Sequence, residues 1–124
     1  MKKILIVFGT RPEAIKMAPL IKEFEQYPNN FNLKICNTGQ HKEMLDQVLE
    51  IFDIKPQYSM NIMKKNQSLS DITSKIIKNF ENILLEFQPD LVCVHGDTST
   101  TFAASLACFY NNIPVAHVEA GLRS

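Results

Sequence analysis

Short apolar runs alternate with longer amphipathic stretches along the whole chain, and this alternation predicts an α/β fold with a parallel sheet. The first run, Ile4 to Phe8, is continuously apolar and rich in β-branched residues, which is typical of a central strand covered on both faces. Further strands are predicted at 32–38, 58–63, 91–95 and 114–118, and the one at 58–63 is irregular. Right-handed crossovers through the intervening helices would give a three-layer, Rossmann-like sheet.

Helix signals fill the gaps between these strands. Thr10 and Glu13 have the spacing of a capping box, and Pro12 lies in the first turn, where a helix tolerates proline. Pro19 would remove a backbone hydrogen bond inside that helix, so we expect a kink or a restart near Ala18.

The longest predicted helix begins at Ser68, which has capping-box spacing to Asp71, and it ends before Pro89. A last helix, rich in Thr, Ser and Ala, is predicted from Thr98 to about Tyr110. Along the first three helices, the side chains expected to face the core recur at helical spacing. They are Leu20, Ile21 and Phe24, then Met44, Leu45, Val48, Leu49 and Phe52, then Leu69, Ile72, Ile76, Phe80, Ile83, Leu84 and Phe87.

The chain reads as one domain, residues 1–124, because no linker, repeat or low-complexity tract interrupts it. No helix follows the last predicted strand to cover the sheet, so we expect this domain to be incomplete and part of a longer protein. The strongly apolar strands would otherwise leave one face exposed to water.

Composition narrows the class of protein. Of 124 residues, 45% are hydrophobic and 21% are charged. The 13 Lys and Arg residues balance the 13 Asp and Glu residues, so the net charge does not favour binding to nucleic acid or to an anionic membrane. The amino-terminal apolar run of about six residues is too short for a signal peptide, and no stretch approaches the ~20 residues of a membrane span. Cys36, Cys93 and Cys108 form no CxxC pair, which indicates buried thiols in the cytoplasm. No metal-binding motif occurs, so we expect no bound metal.

Polar residues follow four of the predicted strands, at the edge where open α/β sheets bind ligands. Gly9, Thr10 and Arg11 place a flexible backbone, a hydroxyl and a guanidinium at a helix N-terminus. This pattern favours a phosphate site, although a capped helix with a solvated arginine has the same pattern. Gln40 and His41 follow the next strand and are either ligand contacts or part of an ordinary turn.

Carboxylates follow the last two strands. Asp97 is either the N-cap of the next helix or a proton-transfer group, and Glu119 either pairs with Arg123 or the backbone or meets a ligand. If these two strands are neighbours, both carboxylates share one crevice with the cation of the first loop, which suits elimination or isomerisation of a sugar nucleotide. His95 and His117 alternate with apolar residues, so we expect them in the core or behind the site.

Four motifs occur in order along the chain. They read FGTRPEAIKMAPL (8–20), TGQHKEMLDQVL (38–49), VHGDTSTT (94–101) and PVAHVEAGLRS (114–124). Together they closely resemble the non-hydrolysing UDP-N-acetylglucosamine 2-epimerases of bacteria, and the resemblance covers essentially the whole chain. It implies a considerably longer protein with two facing Rossmann-like domains, as in GT-B glycosyltransferases, of which this chain is most of the first.

The resemblance also implies a reaction. Members of this family interconvert UDP-GlcNAc and UDP-ManNAc without a nicotinamide cofactor, by removing a proton at sugar C2, eliminating UDP to leave a 2-acetamidoglucal, and adding UDP back with the proton delivered to the opposite face. By resemblance, Asp97 and Glu119 are the catalytic carboxylates, and Arg11 is the arginine that meets the phosphates. Gly9, Thr10 and His41, which follow predicted strands, are the other expected substrate-binding residues. A histidine and most uridine contacts belong to the second domain, so the 124-residue chain alone should not turn over. The complete protein should be a cytoplasmic homodimer that serves polysaccharide biosynthesis.

Some alternatives stay open. Pro12 favours the non-hydrolysing branch over relatives that release free ManNAc. Gln40 and Glu43 match an allosteric UDP-GlcNAc site of some members, but residues 64–67 read KKNQ where those members often carry arginine, which weakens the case for activation. A UDP-sugar-dependent GT-B glycosyltransferase and a non-catalytic nucleotide-binding module are the rival functions.

Overall fold

The computed structural model describes residues 1–39, 42–60 and 66–119, with the side chains of residues 42–44 excepted. In chain order the elements are β1 (Lys2–Phe8), α1 (Arg11–Glu25), β2 (Phe31–Asn37), α2 (Lys42–Ile51), β3 (Tyr58–Ser59), α3 (Leu69–Phe87), β4 (Leu91–His95), α4 (Ser99–Tyr110) and β5 (Val115–Val118). The strands form one sheet in the order β3-β2-β1-β4-β5, and every neighbouring pair is parallel. The predicted α/β fold with a parallel, Rossmann-like sheet is confirmed.

The central strand β1 is covered on both faces. Ile4, Ile6 and Phe8 pack in a cluster with residues of α1 and α2. Leu5 and Val7 point to the other face and pack with residues of α3 and α4. Because each of these side chains is at most 4% exposed, the sheet is the middle of three layers, as the continuous apolar pattern predicts.

The first helix shows where a local rule fails. α1 runs from Arg11 to Glu25 as one element, so of the two alternatives expected near Ala18, a kink or a restart, the restart is wrong. Pro19 lies on the exposed side of this helix, four residues after the exposed Ile15. The Ile15 carbonyl that loses its backbone partner therefore lies toward water, which can satisfy it.

Most side chains predicted to face the core are buried or partly buried against it. Two are not, since Leu69 is 72% exposed and Phe52 is 37% exposed. Both lie at helix ends: Leu69 is the first residue of α3, and Phe52 follows the last residue of α2. The apolar spacing continues to the end of each helix, but the packed core ends earlier. In α3, Ile72 is the first residue that contacts the core. The predicted strand at 58–63 is confirmed for Tyr58–Ser59, while residues 61–65 and the side chain of Met44 lie outside the described part.

The cysteines are buried and free, as predicted. Burial raises the pKa of Cys36 to about 12, that of Cys93 to about 11 and that of Cys108 to about 12, so these thiols stay protonated and poorly nucleophilic at neutral pH. Among the described residues, no three or more His, Cys, Asp or Glu side chains are grouped as metal ligands. None of the helices in that part has the length and apolar character needed to cross a membrane.

The N-terminus of α3 is held by a capping box. The Asp71 N–H donates to the Ser68 hydroxyl at 3.1 Å, and the Ser68 N–H donates to the Asp71 carboxylate at 3.2 Å. Replacing Ser68 by Ala should therefore lower the free energy of unfolding by about 1 kcal/mol, measured by urea unfolding of the chain. Ser70→Ala, at an exposed position in the same turn, is the control and should change stability by less than about 0.5 kcal/mol. Equal effects of the two changes would contradict a capping role for Ser68.

Candidate active site at the carboxyl edge of the sheet

The carboxyl ends of β1, β4 and β5 lie side by side, because these strands are neighbours in the sheet. The segments that follow them, residues 9–11, 96–98 and 119, therefore meet at one edge. From β1 the chain continues to β2 and β3 on one side, and then crosses to β4 on the other. The boundary between β1 and β4 is thus the point where the strand order reverses, and open α/β sheets bind ligands at such points.

Glu119 is held by two partners at this edge. Its Oε2 lies 2.8 Å from His95 Nε2, and its Oε1 lies 3.4 Å from Lys16 Nζ. The backbone of Glu119 has φ +58°, in the left-handed region that a non-glycine residue rarely adopts. Strained backbone of this kind is often found at functional sites. Arg123, the salt-bridge partner considered from the sequence, lies outside the described residues.

These contacts favour the ionised form of Glu119. The hydrogen bond with His95 lowers the pKa of the Glu119 carboxyl group, partial desolvation opposes this change, and the positive charge of Lys16 adds to the lowering. About a third of the side chain remains exposed, at 34%. Glu119 is therefore an ionised carboxylate at neutral pH that solvent and ligands can reach.

The environment of His95 fixes its hydrogen-bonding role. The residue is 8% exposed, and within the described part of the chain its Nδ1 is buried without a hydrogen-bond partner. A proton on Nδ1 would leave a buried donor unpaired, so we assign the proton to Nε2. The neutral imidazole then donates to Glu119, which agrees with the expectation that His95 lies behind the site.

Asp97 does not cap the helix that follows it. The N-cap of α4 is Thr98, whose hydroxyl accepts from the Thr101 N–H at 3.4 Å, so the N-cap alternative for Asp97 is wrong. Asp97 lies exposed in the turn between β4 and α4. Its carboxylate makes no hydrogen bond or ion pair with the described residues and is therefore available to a ligand.

The turn that presents Asp97 is fixed from β5. The Gly96 N–H donates to the Val118 carbonyl at 3.1 Å, and the Gly96 carbonyl is hydrogen-bonded to His117 Nε2. Gly96 has φ +67°, which favours glycine there. His117 is exposed, so the core alternative is wrong for it, and its bond to Gly96 agrees with the other alternative, a place behind the site.

Glu13 has a larger role than its local spacing indicates. Its carboxylate is 2% exposed, and Oε1 accepts from the Gly9 N–H at 2.9 Å, the Thr10 N–H at 2.9 Å and the Thr10 hydroxyl at 3.0 Å. Oε2 accepts from the Thr98 hydroxyl at 2.6 Å. The predicted capping box is confirmed, while the bond to Thr98 joins residues 85 positions apart and has no local signal.

The loop after β2 joins the same region through hydroxyl groups. The Thr38 and Thr100 hydroxyl oxygens lie 3.0 Å apart in a buried contact between this loop and α4. Gln40 and His41 lie outside the described residues, and Glu43 lies in α2 with its side chain outside them. The roles expected for these three residues stay predictions.

The edge therefore combines cations and carboxylates on an open surface. Arg11 is exposed at the first position of α1, and Lys16 follows on the same helix with 58% of its side chain exposed. Lys16 was missed from the sequence, because neither its spacing nor its neighbours mark it as different from other surface lysines. Such an arrangement can hold a diphosphate at the cations and move a proton at the carboxylates.

Comparison with known proteins identifies the family. A family model described as UDP-N-acetylglucosamine 2-epimerase matches residues 22–124. The chain belongs to this family. The UDP-N-acetylglucosamine 2-epimerase of Neisseria meningitidis is 62% identical over 122 residues, which are 98% of this chain and 32% of that protein. The epimerase of Escherichia coli K12 is 59% identical over 122 residues, with the same coverage of 98% and 32%.

Solved epimerase structures share the fold. The Neisseria meningitidis epimerase bound to UDP-GlcNAc has a TM-score of 0.93 at 61% identity, over 98% of this chain and 33% of that one. The Methanocaldococcus jannaschii epimerase in complex with UDP-GlcNAc and UDP has a TM-score of 0.91 at 38% identity, again over 98% and 33%. The UDP-N-acetylglucosamine 2-epimerase family predicted from the four motifs is confirmed, the non-hydrolysing branch stays a prediction, and the chain spans about a third of the length of the epimerases it matches.

Proposed function

We propose that the complete protein is a non-hydrolysing UDP-N-acetylglucosamine 2-epimerase and that this chain supplies most of its first domain. The observation that carries the proposal is the Glu119 carboxylate, 2.8 Å from His95 Nε2 and 3.4 Å from Lys16 Nζ, at the edge that also presents Asp97 and Arg11. The relatives add support, since two solved epimerases hold UDP-GlcNAc. A sugar nucleotide suits a site that offers cations to a diphosphate and carboxylates to a sugar.

In this proposal Glu119 is the base that removes the proton at sugar C2. The electron pair of the C2–H bond forms a C1–C2 double bond, the C1–O bond breaks, and UDP departs with the electron pair of the C1–O bond to leave 2-acetamidoglucal. UDP then adds back to C1 while a proton is delivered to C2 on the opposite face, a role we assign to Asp97. Glu119 fits the base role because it is a carboxylate that is ionised at neutral pH and open to a ligand, and its lowered pKa extends the ionised range to lower pH.

The departing diphosphate needs positive charge near the phosphates. The N–H groups of Gly9 and Thr10 already donate to Glu13, so they are committed within the protein. The positive charge that stabilises the departing diphosphate must therefore come from the positive end of the α1 dipole and from the Arg11 guanidinium. We propose that Arg11 binds the phosphates. Gly9 and Thr10 have a structural role, because their hydrogen bonds to Glu13 set the conformation of the loop.

The wider assignments belong to the same proposal. The substrate is a UDP-sugar, the reaction uses no nicotinamide cofactor, and the enzyme is a cytoplasmic homodimer in polysaccharide biosynthesis. His41 contacts the substrate, and Gln40 and Glu43 stand where an activating UDP-GlcNAc would bind. The remaining uridine contacts and a histidine come from a second domain, so the 124-residue chain alone does not turn over.

Proton NMR of UDP-GlcNAc in D2O tests the proposal. We expect the complete gene product to place deuterium at sugar C2 and to form UDP-ManNAc, and the 124-residue chain to do neither. Release of free ManNAc with UDP would assign the protein to the hydrolysing branch. Absence of C2 exchange with the complete product, combined with UDP release on addition of a sugar acceptor, would replace the epimerase by a glycosyltransferase.

The pH dependence of the reaction should report the bond between His95 and Glu119. Since this bond lowers the pKa of Glu119, the base stays unprotonated to lower pH, and its loss should move the acidic limb of the pH–rate profile to higher pH. His95→Asn removes the donor at Nε2 and should show this shift in C2 exchange rates. His95→Gln places an amide N–H near the same position and should stay closer to the original profile. Identical profiles for both variants would contradict the role of this bond.

A further inference from the structure

The buried carboxylate of Glu13 joins the two loops that the proposed reaction requires. The first loop, residues 9–10, leads directly into Arg11, the first residue of α1, and the other, residues 96–98, carries Asp97. They flank the boundary between β1 and β4, where the strand order reverses. Glu13 accepts three hydrogen bonds from the first loop through Oε1 and one from Thr98 of the second through Oε2.

A capping function does not require this arrangement, as the other capping box of the chain shows. At the start of α3, the Asp71 side chain accepts from the Ser68 N–H alone and is exposed to water. At the start of α1, the corresponding residue, Glu13, is 2% exposed, and its carboxylate accepts from four donors on two loops. Burying a carboxylate costs free energy that a solvent-exposed cap avoids, so the buried arrangement needs a further reason.

The Thr98 hydroxyl is the other half of the link. It donates its single proton to Glu13 Oε2 at 2.6 Å and accepts from the Thr101 N–H as the N-cap of α4. One hydroxyl thus caps α4 and joins it to the capping box of α1. The N-termini of these two helices cannot separate or rotate against each other without breaking a partly buried, charge-assisted hydrogen bond.

We propose that Glu13 is a positioning residue, which sets the placement of Arg11 relative to Asp97 by locking the loop after β1 to the loop after β4. The inference rests on the proposed function, because it concerns the cation and the carboxylate of that site. Glu13 itself does not touch the substrate, since its oxygens are occupied by protein donors and its charge would repel a diphosphate. Its effect is on geometry, and misplacing reacting groups by about 1 Å can cost on the order of a hundredfold in rate.

The test is made in the complete protein, and it reverses which side of the hydrogen bond between residues 98 and 13 donates and which side accepts. Thr98→Asp keeps an N-cap acceptor but sets a second carboxylate against Glu13. We expect kcat for C2 exchange to fall roughly tenfold or more, with a smaller change in KM, at a temperature well below the melting midpoint. Adding Glu13→Gln supplies an amide donor toward the new carboxylate, while its amide oxygen still accepts from Gly9 and Thr10. This double variant should recover kcat to within about threefold of the original protein.

Controls separate positioning from stability. Thr98→Ser keeps both hydroxyl roles and should keep kcat, and Thr98→Ala removes the link without repulsion if the aspartate variant does not fold. A purely structural role predicts a lower melting midpoint with kcat within about twofold, and that result would overturn the inference.

If the complete protein shows no C2 exchange, the proposed function fails. Amide hydrogen exchange at Gly9 and Thr10 then decides: faster exchange in Thr98→Ala supports the link, and unchanged exchange refutes it.

Discussion

Replacing Glu119 by Gln in the complete protein should lower the rate of C2 proton exchange by roughly 10²- to 10⁴-fold. The glutamine amide oxygen can still accept from His95 Nε2, so the local structure is retained while the group can no longer take up a proton. Deuterium incorporation into UDP-GlcNAc in D2O, followed by proton NMR, measures the effect directly. The loss should fall mainly on kcat, because Arg11 rather than Glu119 is assigned to the diphosphate.

The matched control for this change is Glu23→Gln. Glu23 is an exposed carboxylate on α1, outside the candidate site, so its replacement removes the same charge without touching the edge of the sheet. The control variant should exchange at the original rate. An exchange rate within about threefold of the original for Glu119→Gln would remove Glu119 from the proton-transfer step and leave Asp97 as the base to test next.

The fold was largely predictable because its main signals are local. The continuous apolar run in β1 predicts burial on two faces, and the spacing from Ile72 to Phe87 predicts the buried face of α3; both are confirmed. The wrong predictions arise where the local sequence pattern and the tertiary packing disagree. Leu69 has the right spacing but lies before α3 reaches the core, and Pro19 breaks a local rule on a helix face that water can reach.

The candidate site was predictable in part for the same reason. Arg11, Asp97 and Glu119 could be selected because each lies within three residues of the end of a predicted strand, and ligand positions in α/β sheets depend on strand ends. The links between loops could not be predicted in this way. The bond from Thr98 to Glu13 spans 85 positions and depends on β1 and β4 being neighbours, which apolar spacing does not determine.

The largest loss of stability is expected from Phe80→Ala. Phe80 is fully buried on α3, in the cluster that packs against Val92, Val94 and the side of β1 formed by Leu5. Truncating a buried phenylalanine removes apolar contacts and leaves a cavity that a close-packed α/β layer closes poorly, at a cost of about 3–5 kcal/mol. Urea unfolding of the chain should show this as a lower midpoint with an unchanged slope.

A matched control on the same helix separates burial from helix propensity. Leu85 is 66% exposed on α3, so Leu85→Ala removes an apolar side chain without opening a cavity in the core. Its free energy of unfolding should change by less than about 0.5 kcal/mol, since alanine is at least as good a helix former as leucine. A loss below about 1 kcal/mol for Phe80→Ala would mean that the layer between α3 and the sheet relaxes to fill the space. In that case the apolar contacts around Phe80 would not be the interaction that holds α3 on the sheet.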